Sequence, residues 1–192
     1  MLVLKDIIGK GNERLCFKHP EFESKCVKVT YNQKRGRSDE SKIEHNYFKK
    51  VKKRVSNLND VPIALVHHWV DTDQGKGLLC DRVNDYCGKV SKSLDYYRKN
   101  QLISTRSINH GIERLLEKLV QHAICINYIH DRNILVQFTN ENDFRFILID
   151  GLGNTNLIPL GYWFKKFARK QTARRFYKKY PEIYNTYKSY KN

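Results

Sequence analysis

The sequence predicts an α+β protein: a small antiparallel sheet at the N-terminal end, then a helical half that holds one β-hairpin. Three observations predict it. Between Leu2 and Val83, short apolar and β-branched runs alternate with turn-prone residues, which is a sheet pattern. From Ser107 onward, apolar residues recur at helical spacing. Finally, Asn133-Ile134-Leu135-Val136 and Ile147-Leu148-Ile149-Asp150 flank the polar Thr139 to Asp143, the pattern of a hairpin. A chain of 192 residues suits one domain or two small lobes around a shared cleft.

The elements follow in order. Leu2 to Ile8 reads as a strand, followed by a turn at Gly9-Lys10-Gly11 and a second strand at Leu15 to Phe17. His19-Pro20 marks a turn, and Lys25 to Tyr31 is a strand rich in branched residues. A basic loop from Asn32 to Ser38 leads to a helix over Asp39 to Val55, with Ile43, Tyr47, Phe48 and Val51 on one face. Val61-Pro62 opens a further strand region. The segment Val70 to Gly77 is a turn between strands, and Gly77 to Val83 is the second of these. Asn84 to Ser91 reads as a lobe boundary, giving an N-lobe of 1–83 and a C-lobe of 84–192. Ile108, Ile112, Leu115, Leu116, Leu119, Ala123 and Ile126 trace an apolar stripe, which predicts one helix from Ser107 to about Tyr128. After the hairpin, the tail from Tyr162 is again helical in pattern.

Bulk composition narrows the class. Hydrophobic content of 40% and aromatic content of 12% describe a globular chain, not a disordered one. No apolar run approaches the roughly 18 residues that span a bilayer, and the N-terminus lacks the pattern of a signal peptide. Cys16, Cys26, Cys80, Cys87 and Cys125 are odd in number and widely spaced, so reduced thiols in a cytoplasmic protein are expected. A net charge of +16 implies attraction to polyanions.

Four features share one chemistry. Gly9 and Gly11 would let backbone approach phosphates closely, although Arg14 stands where a third glycine would complete a G-x-G-x-x-G loop. Lys28 lies within an apolar strand, where an ammonium needs an anion. Glu44, on the helix that follows, would pair with it. Asn133 and Asp150 fall at the same end of the hairpin, where two oxygen ligands would share one Mg²⁺. Their order is that of a protein kinase: Gly-rich hairpin, strand lysine, helix glutamate, two strands, long helix, then the Asn and Asp metal ligands.

The chain resembles the YrbL family, named for a protein of the bacterial PhoP regulatory network and counted among the protein-kinase-like folds. The resemblance runs from about residue 6 to residue 180 and is carried by Ile8-Gly-Lys-Gly11, Lys25 to Val29, Thr72 to Gly77, Gly88-Lys89, Asn133-Ile-Leu135, Asp150-Gly-Leu-Gly153 and Leu157-Ile-Pro-Leu160. It implies a compact two-lobed kinase-like fold and leaves the family's reaction and substrate open.

One departure bears on activity. The general base of H-R-D-L-x-x-x-N stands five residues before the Asn, and here that position is Tyr128. Asp131, in His130-Asp131-Arg132-Asn133, is the alternative candidate catalytic residue. Little chain follows Asp150 to form a peptide-docking lobe, so ordinary protein kinase activity is not expected. The reading is an atypical kinase that binds ATP and Mg²⁺ and acts on a non-protein or unusual acceptor. Its rivals are a pseudokinase that signals through bound nucleotide and a basic adaptor for nucleic acid or an anionic membrane. From Lys165 to Lys191 Glu182 is the sole acidic residue, while Phe164, Phe167, Phe176, Tyr177 and Tyr180 interleave with lysines and arginines. This pattern predicts a helix with its aromatic stripe packed inward and its basic face outward. That face would meet an anionic lipid, a polysaccharide phosphate, an acidic protein or, less favoured, nucleic acid, at the cytoplasmic side of the inner membrane or free of it.

Overall fold

The structure is a computed structural model that describes residues 1–32, 39–153 and 160–183. It has an α+β architecture with antiparallel sheets and five α-helices among the described residues. The chain divides into two units, Met1–Lys49 with Ala64–Val83, and Lys50–Ile63 with Asn84–Asn192. The basic loop at 33–38 and the Ile-Pro stretch at 157–159 lie outside the described residues, as does the tail beyond 183.

The first unit is a five-stranded sheet: β1 (Ile7–Lys10), β2 (Arg14–Lys18), β3 (Lys25–Thr30), β4 (Val66–Thr72) and β5 (Gly75–Asp81), in the order β1-β2-β3-β5-β4. After β3 the chain passes through helix α1 (Glu40–Arg54) and returns at the sheet edge as β4; a turn then brings β5 in beside β3. Side chains alternate between faces along a strand. Register sets Phe17 opposite Val27 and Val27 opposite Leu79, and these bury one face together with Leu4 and Val29. The other face carries Cys16, Lys28 and Leu78 in a row, with Trp69 beside Leu78. Helix α1 covers this face: Trp69 Nε1 donates to His45 Nδ1 at 3.0 Å, and Tyr47 and Phe48 are fully buried.

Both ends of β1 differ from the sequence reading. Strand β1 starts at Ile7 and not at Leu2, because the backbone of Leu2 is claimed by the β4–β5 turn: its N–H donates to Asp71 O and its carbonyl accepts from Asp73 N. Gly9 and Lys10 complete β1, so the turn itself is Gly11 to Glu13, closed by Gly11 N donating to Arg14 O at 2.8 Å.

The second unit is built on α3 (Thr105–Gln121), capped by Ser104, whose hydroxyl accepts from Ser107 N. Ile108, Ile112, Leu115, Leu116 and Leu119 are buried along it as expected. The helix comes so close to the hairpin that a Cβ at Gly111 would stand 2.7 Å from the Phe146 ring. The hairpin forms as read, β7 (Ile134–Phe138) against β8 (Phe144–Leu148), and β6 (Lys92–Ser93) extends it to three strands beside the short α2 (Leu94–Lys99).

The long helix ends at Gln121 and does not reach Tyr128. Ala123 takes a positive φ of 52°, Ile124 N closes the helix end by donating to Leu119 O at 2.8 Å, and Ile126 is bridged to Leu152. The apolar residues that imitate a continued helical stripe are a buried strand-like segment. Helix α5 (Lys165–Lys179) seals it. The buried Thr172 hydroxyl donates to Ile124 O at 2.7 Å and accepts from Ile126 N at 3.1 Å, which satisfies two backbone groups that water cannot reach. Helix α4 (Leu160–Trp163) precedes it. The aromatic stripe splits: Phe176 and Tyr180 are buried, whereas Phe164 and Phe167 are 54% and 49% exposed. No helix among the described residues is long and apolar enough to cross a membrane.

Asp60 ties the segment ahead of β4 to α3, accepting from Lys118 at 2.7 Å and His122 at 2.9 Å. The Lys118 bond, then the His122 bond, hold its carboxyl below the usual value. A depressed folded-state pKa stabilises above the unfolded value and loses that contribution as pH falls through the folded one. Asp60→Asn therefore lowers the melting temperature at neutral pH, and the gap to wild type closes as pH drops below about 4. Thermal melts across acid pH check this.

Candidate functional site

In the first unit the geometry centres on one carboxylate. Register with Cys16 and Leu78 turns Lys28 to the helix-covered face. There its Nζ meets Glu44 Oε1 at 2.7 Å. Arg14 lies two residues before Cys16 and so on the same face of β2, and its guanidinium reaches Glu44 Oε2 at 2.6 Å. Both oxygens of Glu44 are thus taken by cations, and its side chain is only 5% exposed. Glu40, 3.5 Å from Arg14 and half-buried, adds a longer second contact. The pairing of Lys28 with Glu44 is the one read from the sequence. Arg14 was read there only as a missing glycine, although its alternation with Cys16 was a signal that it faces inward.

The thiols on this face differ in character. Cys16 is half-buried, and its pKa is lowered, first by the hydrogen bond with Cys26 and then by the charges of Lys28 and Arg14. Cys80 is buried, which pushes its pKa up to about 12. Gly9 and Gly11 sit at the end of β1 and in the turn that follows; Tyr31 donates its hydroxyl hydrogen to Gly11 O at 3.0 Å, bracing that turn against the end of β3.

In the second unit the hairpin ladder continues one step beyond its strands. Ile149 N donates to Asn133 O at 2.9 Å, so Asn133 stands opposite Ile149, with Asp150 next along the chain. Asp150 Oδ1 accepts from Gly151 N at 2.7 Å. Gly151 has φ of +82°, and a Cβ there would lie 2.3 Å from Tyr128 O, so both backbone conformation and space demand glycine. The carbonyl of Gly151 accepts from Asn127 N and Gly153 N donates to Cys125 O. Asp150 therefore stands at the start of a tightly fixed bend. An amide oxygen and a carboxylate are hard donors suited to Mg²⁺, which takes one or two carboxylates and completes its shell with phosphates and water. Among the described residues no group of three His, Cys, Asp or Glu side chains could hold a metal by itself.

Asp131 belongs to the same unit but has other partners. It opens the turn Asp131–Asn133; Arg98 Nε lies 2.9 Å from its Oδ2, and Oδ1 accepts from the Tyr180 hydroxyl at 2.9 Å. Lys179 lies 3.7 Å from Oδ1. Burial first, then the Asp131 charge, push the Tyr180 hydroxyl well above its ordinary pKa, which keeps it a donor. The carboxylate ties α2, the turn and the end of α5 together.

Removing Glu44 would take from Lys28 and Arg14 the nearly buried carboxylate that they share. Breaking such a group costs about 3–5 kcal/mol. Glu44→Ala is expected to lose stability on that scale in urea unfolding, whereas Glu40→Ala, at a longer and only half-buried contact, loses clearly less.

The family model described as PhoP regulatory network protein YrbL matches residues 1–182. The chain is 27% identical over 163 residues to the protein called "Uncharacterized protein YrbL" in Escherichia coli (strain K12), an alignment that covers 82% of this chain and 75% of that protein. The protein of the same name in Shigella flexneri gives the same identity and coverage. With nearly its whole described length matched, the chain belongs to the YrbL family.

Proposed function

We propose that this chain is a protein-kinase-like nucleotide-binding protein that takes ATP with Mg²⁺ and passes phosphate to a non-protein or unusual acceptor. The observation that carries the reading is the ion pair of Lys28 with Glu44 on a strand and the helix after it, buried and held by a second cation. In that role Lys28 contacts phosphate oxygens while Glu44 fixes its ammonium, and Gly9 and Gly11 offer backbone N–H groups to the same phosphates. Asn133 and Asp150 supply the oxygens for the metal, whose charge screens the phosphates during transfer. The two-lobed kinase-like fold is part of this proposal.

The partners of Asp131 favour a second reading. A general base needs an oxygen within reach of the acceptor proton. Here Asp131 accepts from the Tyr180 hydroxyl and lies in ion pairs with Arg98 and Lys179. A protein that binds nucleotide and signals through it, without transfer, fits that arrangement. The proposal also keeps an anionic partner for the basic α5 and a place on the cytoplasmic side of the inner membrane.

Saturating MgATP at about 100 times its dissociation constant stabilises a protein by about 2.7 kcal/mol. For a chain of this size that raises the melting temperature by roughly 5–10 °C. The shift is expected for wild type and is lost in Lys28→Met and in Asp150→Ala; equal shifts in all three proteins would refute the site. Transfer is read from radiolabelled γ-phosphate. Turnover that falls at least roughly a hundredfold in Asp131→Asn identifies Asp131 as the acceptor's base, and bound nucleotide without turnover in wild type establishes the second reading.

A further inference from the structure

The surface of α5 combines two features. Phe167, Lys170, Arg174 and Lys178 are spaced by three and four residues and all are exposed, so they share the outward face of the helix. Lys166 adjoins them, and from Leu160 to Ile183 Glu182 is the sole acidic residue. At the N-terminal end of this face Trp163 and Phe164 are 56% and 54% exposed, and the Phe164 and Phe167 rings lie 6.0 Å apart. These aromatic rings are not needed by the core, which α5 already fills with Ala168, Thr172, Ala173 and Phe176.

We infer that this face is a docking surface for an anionic lipid bilayer, with Trp163, Phe164 and Phe167 entering the headgroup region and Lys170, Arg174 and Lys178 resting on lipid phosphates. This deepens the proposal of an anionic partner and rests on it, but not on nucleotide binding. Charge complementarity selects an anionic surface, and the rings select a bilayer among such surfaces. Large amphipathic aromatic residues gain by leaving water for the interface, and basic side chains beside them reach the phosphates. Single-stranded nucleic acid also uses aromatic rings and cations, but along a groove that tracks the strand. Here the basic residues lie on the outward side of one helix, and the rings cluster at its end instead of lining a track.

The test is co-sedimentation of the whole chain with vesicles of phosphatidylcholine alone or with about 30% phosphatidylglycerol, at about 0.15 M salt. Binding is expected to the anionic vesicles and not to the neutral ones. Lys170→Glu with Arg174→Glu should weaken it by at least roughly tenfold. Phe164→Ser with Phe167→Ser, which leaves the charge unchanged, should weaken it by roughly fivefold or more. In a Trp69→Phe background, Trp163 emission should shift to the blue on addition of anionic vesicles. Thermal melts of each variant verify that it is folded. Binding that the serine variant retains in full, with no Trp163 shift, overturns the bilayer assignment in favour of a purely electrostatic polyanion site. Tighter binding to a single-stranded oligonucleotide than to the vesicles overturns it in favour of nucleic acid. Absence of binding to either overturns the anionic partner itself.

Discussion

The carboxylate of Glu44 is the constraint on which the first unit depends. An ion so nearly excluded from water is tolerable only when its oxygens are met by charge, and here Lys28 and Arg14 meet one oxygen each. That requirement fixes three elements at once. Strand β3 must present Lys28, β2 must present Arg14, and α1 must lie across both with Glu44 turned down. The apolar contacts of Tyr47 and Phe48 provide the burial that makes the ion pair strict.

The second unit solves a different problem, that of holding an irregular chain rigidly. Residues 125–128 and 151–153 pair outside any regular strand, and Gly151 allows the approach. Thr172 satisfies the backbone behind this pair. Asp150 opens the bend so formed, and the last rung of the hairpin sets Asn133 opposite its chain neighbour Ile149. Positions that must hold a ligand with small error are best built on such over-determined backbone.

Much of this was legible in the sequence where a single period dominates. The strand around Lys28 is rich in branched residues, α1 and the first four turns of α3 carry a 3.6-residue stripe, and the hairpin is bounded by polar turn residues. Legibility failed where two structures share one pattern. Ala123 to Ile126 continues the stripe of α3 and is equally a buried strand-like segment; only the positive φ at Ala123 separates the two. Arg14 was legible as an absent glycine but not as a partner of Glu44, because that contact joins residues 30 apart in sequence. The partners of Asp131 come from Arg98 and Tyr180, equally remote. The aromatic residues of α5 look alike in sequence, and only packing separates buried Phe176 from exposed Phe167.

The central proposal is that Lys28 and Asp150 act on the same nucleotide. Calorimetric titration of MgATP into wild type, Lys28→Met, Asp150→Asn and the double variant measures it directly. Groups that engage one ligand couple, so each single change should cost at least roughly tenfold in affinity and the double change clearly less than the two costs combined. Full affinity in either single variant, or costs that simply add, would contradict it.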